Sequence, residues 1–115
     1  MLLINQVTSD PKQKRTLLLE DGTAFEMTMH YVPLQFGWFI RNITYLDFSL
    51  NNIRITNNPN MLHQFRNQIP FGLACFTQDN REPTQQEDFS SGASKLYVLT
   101  EEEVNDYQEF LTDKT

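Results

Sequence analysis

The sequence predicts a mainly β fold, a small antiparallel β-barrel or sandwich with a short C-terminal helix. Three observations carry that prediction. Apolar residues recur at every second position wherever a pattern can be read, which is the spacing of a half-buried strand. Nine Phe and 39% hydrophobic residues against only four Gly supply a core and exclude a disordered or collagen-like chain. Asp21-Gly22 lies between two apolar stretches, and an Asp-Gly pair in that setting is the strongest short signal for a hairpin. A length of 115 residues is that of a single domain, and folding at this size buries roughly two-thirds of the extended chain's surface.

The first strand is expected at residues 2–7 and ends at Ser9-Asp10-Pro11, because proline lacks the ladder donor and restricts the residue before it. Residues 16–19 form the second strand, and Glu20-Asp21-Gly22-Thr23 closes a hairpin in which Gly22 supplies the positive φ of a tight turn. The return strand, residues 24–31, puts Phe25, Met27, Met29 and Tyr31 on one face and Glu26, Thr28 and His30 on the other. Pro33 and Gly37 bracket a turn. The apolar alternation that follows, through Trp38, Ile40, Ile43, Tyr45, Phe48 and Leu50, changes phase near Asn42, as a bulge or a break between two strands requires. Asn51-Asn52 then reads as a turn into a short strand at Ile53-Arg54-Ile55.

Met61, Leu62 and Phe65 stand at one-turn spacing, which predicts a short helical or 3-10 turn after Asn60, followed by a strand at residues 73–77. A polar, acidic tract spans residues 78–94, too long for a simple hairpin turn; connections of this length in compact domains are usually functional or held by something else. Residues 95–99 make the last strand, with Leu96 and Val98 opposed to Tyr97 and Leu99. A helix is expected over 100–112. Thr100 and Glu103 form a capping box, Glu101 and Glu102 complement the positive helix end, and Val104, Tyr107 and Leu111 make an apolar stripe. That helix can dock on the sheet or on a neighbouring subunit.

Composition and motifs narrow the function. A net charge of −6 repels phosphate backbones, and Lys12, Lys14 and Arg15 are the only basic cluster, so nucleic-acid binding by the domain is not expected. The N-terminal Met1-Leu2-Leu3-Ile4 is too short for the apolar region of a signal peptide, and no stretch approaches the roughly 20 residues that span a bilayer, so neither export by that route nor membrane insertion is expected. The lone Cys75, inside Leu73-Ala74-Cys75-Phe76, excludes an intrachain disulfide and reads as a buried thiol acting as a small hydrophobe. Cys75 with His63 carries no flanking signature of a catalytic pair, and His30 falls on the polar face of its strand. Asp79, Glu82, Glu87 and Asp88 supply oxygen ligands for a hard cation, yet Asp79-Asn80-Arg81-Glu82-Pro83 lacks the ligand alternation and central glycine of an EF-hand loop and has Arg81 in its midst. No phosphate-cradling glycine pattern occurs, and a paired-carboxylate glycosidase site has no stacking aromatic nearby except Phe89. No catalytic residue, cofactor or metal ligand is assigned.

Two blocks, read together, resemble a known family. The first is AFEMTMHYVPLQFGWFIRNITY, an alternating strand, a Pro-Gly turn and then Gly37-Trp38-Phe39. The second combines RITNNPNMLHQF, IPFGLACFT, the acidic tract with Gly92, and SGASKLYVLTEEEV, with Leu96-Tyr97 in the final strand. In that order and spacing they are similar to the small baseplate plug proteins of contractile-tailed bacteriophages, over residues 16–104. The chain departs from the family pattern in a longer 51–60 region and in the helix after Thr100.

The resemblance implies a structural protein of the phage tail baseplate, plug- or hub-associated, without enzymatic activity, acting by assembly in the virion after synthesis in the host cytoplasm. Its implied partners are further copies of itself, as a trimer or hexamer, and other baseplate or tail proteins such as hub, tube or sheath initiator. Aromatics are enriched at interface centres, so Trp38, Phe39, Tyr45, Phe89 and Tyr107, with the loop carboxylates Asp79, Glu82, Glu87 and Asp88, are the expected interface residues. The rival expectation is a small β binding module in which Trp38 and neighbouring aromatics hold a host-surface carbohydrate or peptide.

Overall fold

Strand alternation in AFEMTMHYV places Phe25, Met27 and Met29 on one side, and all three are buried. The computed structural model, which describes residues 2–4, 7–19 and 21–106, builds two antiparallel sheets around that side chain row. One sheet has four strands in the order β2 (Lys12–Leu18), β3 (Ala24–Val32), β4 (Gly37–Tyr45), β5 (Phe48–Arg54). The other has three, in the order β1 (Leu2–Leu3), β7 (Ser94–Leu99), β6 (Gly72–Thr77). Neither sheet closes on itself, so the fold is a packing of two open sheets and not a barrel.

The core lies between the sheets. Phe25, Met27, Met29, Trp38, Ile40, Ile43 and Tyr45 from the four-stranded sheet meet Leu73, Cys75, Leu96 and Val98 from the three-stranded one. Phe71 fills the seam, its ring stacked on Phe25 at 4.2 Å and edge-on to Tyr45 at 5.5 Å. Full burial of each such side chain is worth about 1.5–3 kcal/mol, which makes this seam the main source of stability.

The hairpin turn at 19–23 forms as its Asp-Gly pair demands. Gly22 has φ +90°, its N–H donates to Leu19 O, and Leu19 N–H donates to Thr23 O. The phase change near Asn42 is a β-bulge. Thr28 pairs Asn42 and Met29 pairs Ile40, so Arg41 is the extra residue on β4, and Trp38 and Ile40 reach the same core as Ile43 and Tyr45.

Three expectations are corrected. The second strand begins at Lys12 rather than residue 16; it is a sheet edge, and its buried Gln13 satisfies itself by donating Nε2 to Thr8 O and Asp10 O. Asn51-Asn52 is not a turn. β5 runs through it unbroken, with Asn52 at φ +59° opposite the Arg41 bulge, so the two strands change phase together. The first strand is Leu2–Leu3, extended by Ile4 N–H donating to Leu96 O; residues 5–6 lie outside the described residues.

The turn after Asn60 forms as a 3-10 turn at His63–Phe65. Asn60 ties it to β6: its Oδ1 accepts Leu62 N–H at 3.0 Å and Leu73 N–H at 3.2 Å. The chain is helical from 101 to 106, opened by the capping box, with Glu103 N–H donating to Thr100 Oγ1 and Thr100 N–H to Glu103 Oε1. Val104 packs with Ala74 and Leu99, which seats this helix on the outer face of the three-stranded sheet. Tyr107, Leu111 and the rest of the expected 100–112 helix lie outside the described residues.

Candidate interface

The 78–94 tract is built into the fold at both ends. Gln78 N–H donates to Ala93 O, and the hydroxyls of Thr77 and Ser94 pair at 2.9 Å, closing its base. Asp79 and Asn80, at φ +61° and +57°, turn the chain sharply there, and both residue types tolerate that region. The far end lies over β3 and β4: Trp38 Nε1 donates to Gln85 O at 3.2 Å, and Tyr31 Oη to Thr84 O at 2.8 Å. Gln86 Nε2 donates to Ser9 O, and Glu82 Oε2 accepts Asn57 N–H at 2.7 Å, so two further segments are stitched to the same tract.

Its four carboxylates have separate fates. Asp79, Glu82 and Glu87 are exposed. Asp88 is 3% exposed, and its carboxylate accepts both Arg81 Nη2 at 2.6 Å and Nη1 at 2.9 Å, together with Gln85 N–H at 2.9 Å. Hydrogen bonds from Arg81 hold the Asp88 carboxyl below its ordinary value against the opposing effect of burial. Asp88 is thus buried and bound within the chain.

The aromatic candidates also divide. Trp38 is 0% exposed, with Tyr31 tilted against it at 5.5 Å and the buried Phe89 edge-on at 5.7 Å. It offers no ring face to a carbohydrate or peptide. Tyr45 is buried against Phe71. Phe39 alone of these reaches the surface, half-buried beneath the Arg54 guanidinium at 5.4 Å from its ring centre. Trp38, Tyr45, Phe89 and Asp88 therefore shape the surface from beneath, while Phe39, Asp79, Glu82 and Glu87 form part of it.

Sequence reasoning missed the exposed apolar residues of the turns. Leu34 is 93% and Phe36 66% exposed, both in the β3–β4 turn, and Leu46 is exposed in the β4–β5 turn. The signal was present: apolar residues inside a four-residue connection bracketed by Pro33 and Gly37 have no strand to carry them inward. At the other end of the four-stranded sheet an open groove of about 430 Å³ is lined by Leu2, Leu18, Asp21, Val98, Leu99 and Glu101 among others.

Cys75 is buried, and burial pushes its thiol up to about 11. His30 is lowered by partial burial and then by the charges of Arg41 and Lys12. Among the described residues no three His, Cys, Asp or Glu side chains converge as a metal site needs, and no helix is long and apolar enough to cross a membrane.

A family model described as the cyanophage baseplate Pam3 plug gp18 matches residues 1–102. The match spans both sheets, the 78–94 tract and the first residues of the helix. No curated protein matches the chain.

Proposed function

Because the chain belongs to the cyanophage baseplate plug family, we propose that it is a structural plug of a contractile tail, seated at the axis of the baseplate and acting by protein–protein contact without catalysis. The observation that carries this reading is the family match over residues 1–102, which takes in every strand and the tract that crosses Trp38. The surface supports it. Aliphatic side chains stand exposed at the strand turns, and Asp79, Glu82 and Glu87 present carboxylates suited to basic groups on a neighbour.

The partners are further copies of the chain, as a trimer or hexamer, and the hub, tube or sheath-initiating proteins around it, met in the host cytoplasm during tail assembly. Closed rotational symmetry lets one small fold make the same contact repeatedly around an axis, and local release of such contacts can accompany contraction. The test is compositional. Purified tails resolved on a denaturing gel and read by mass spectrometry contain this chain; tails that contract normally and lack it overturn the proposal.

A further inference from the structure

Residues 82–86 lie across the body of the protein as a peptide lies in a binding groove. Arg81 leads in with extended backbone, φ −82° and ψ 165°, and residues 81–84 belong to no regular element. Pro83 is fully buried, with Glu82 exposed before it. Two successive backbone carbonyls are then taken by aromatic side chains, Thr84 O by Tyr31 Oη at 2.8 Å and Gln85 O by Trp38 Nε1 at 3.2 Å. Aromatic-lined grooves that take extended, proline-containing peptides work in this way, because a backbone without internal hydrogen bonds leaves its carbonyls free for the groove. Here the segment in the groove belongs to the same chain.

That segment is fastened separately from the rings beneath it. Phe89, edge-on to Trp38, belongs to the turns that follow, where Ser91 N–H donates to Glu87 O and Ser94 N–H to Asp88 O at 2.8 Å. The Arg81–Asp88 fork joins the two ends of the segment to each other and not to either sheet, and Gln85 N–H donates to the same carboxylate. Left-handed residues flank it on both sides, Asp79 and Asn80 before and Gly92 after, the last with open space where a Cβ would stand. Beyond Pro83 and the two carbonyl bonds, its ties to the body are polar: Glu82 Oε2 accepts Asn57 N–H, and Gln86 Nε2 donates to Ser9 O.

We propose that residues 82–86 are a strap that lifts while the sheets stay folded, and that Tyr31, Trp38 and Phe89 beneath it form a site for an extended, proline-containing segment of a neighbouring chain. Closed, the strap hides the ring faces. The strap itself displays the chemistry of its replacement, a proline followed by two carbonyls placed for Tyr31 Oη and Trp38 Nε1. Its few, largely polar ties put its opening below the cost of unfolding the strands, and the fraction open scales the apparent affinity for the incoming segment. The site goes beyond the plug reading and is tested on the isolated chain, so its failure leaves that reading standing.

Trp38 is the single tryptophan of the full-length chain, and its indole N–H reports on the strap directly. Hydrogen exchange followed by NMR is expected to give that proton a protection factor at least tenfold below the slowest β3 amides, unchanged in low denaturant, as local opening requires. Glu82→Ala/Gln86→Ala removes two fastenings without touching the rings; it should lower indole protection at least a further tenfold and leave the β3 amides as they are. The probe ligand is the peptide Arg-Glu-Pro-Thr-Gln-Gln, blocked at both ends, a copy of residues 81–86. It should shift the Trp38 indole resonance saturably, bind the double variant more tightly than wild type, and bind at least tenfold more weakly when it carries Pro83→Ala. Indole exchange that tracks the β3 amides overturns the strap. A peptide that gives no saturable shift, or that binds equally well without its proline, overturns the site, and wild type alone decides both.

Discussion

The Asp88 carboxylate takes three donors at once, two from Arg81 and one from the Gln85 backbone, and so fixes the bend of the segment between them. Asp88→Asn loses the charge assistance and misplaces an amide N–H against Arg81, and should cost about 1–3 kcal/mol in a denaturant titration. Folding lowers this carboxyl from its ordinary 3.8, so the unfolded chain holds the proton more tightly. The stabilisation is therefore complete above that value and is lost as pH falls through the folded one; the variant should show a shallower loss of stability on acidification. Glu87, one residue earlier and exposed, behaves oppositely: Glu87→Lys should change stability by no more than about 0.5 kcal/mol while impairing assembly. The sequence placed both carboxylates on one acidic tract but gave no sign that Arg81, seven positions upstream of Asp88, would claim only one of them.

At the scale of elements, segments of regular strand are tied together by a few irregular ones. Asn60 is the clearest tie, since its buried Oδ1 serves Leu62 and Leu73 together. Asn60→Ala leaves two buried N–H groups without an acceptor, and should lower stability by about 2–4 kcal/mol, read from the shift in thermal or chemical midpoint. Strands with a buried face were legible: the alternation of Phe25, Met27 and Met29 and its phase change by Asn42 located β3, β4 and the bulge. The edge strand β2 was legible only in its apolar second half, because Lys12, Gln13, Lys14 and Arg15 face solvent or bond locally and carry no alternation. Asn52 misled for a related reason. Asn in the left-handed region marks turns in general, but here it bends a continuous strand to match the bulge opposite. Trp38 looked like an interface residue by type, and only the crossing of the 84–86 backbone over it, many residues away in sequence, explains its burial.

For the whole molecule, a closed seam between two open sheets leaves function to the ends and edges. The chain belongs to the baseplate plug family, and Leu34, Phe36, Leu2 and Leu18 leave apolar side chains exposed on its surface. Position within the tail is what a reconstruction of the tail tip by electron cryomicroscopy would read. For a baseplate plug, density for this two-sheet fold is expected at the baseplate axis, repeated by the tail's rotational symmetry, with strand turns and the 78–94 tract turned toward neighbouring subunits. A baseplate complete at side-chain resolution in which no density fits this fold, or in which the chain sits only at the capsid or the periphery of the fibres, would contradict it.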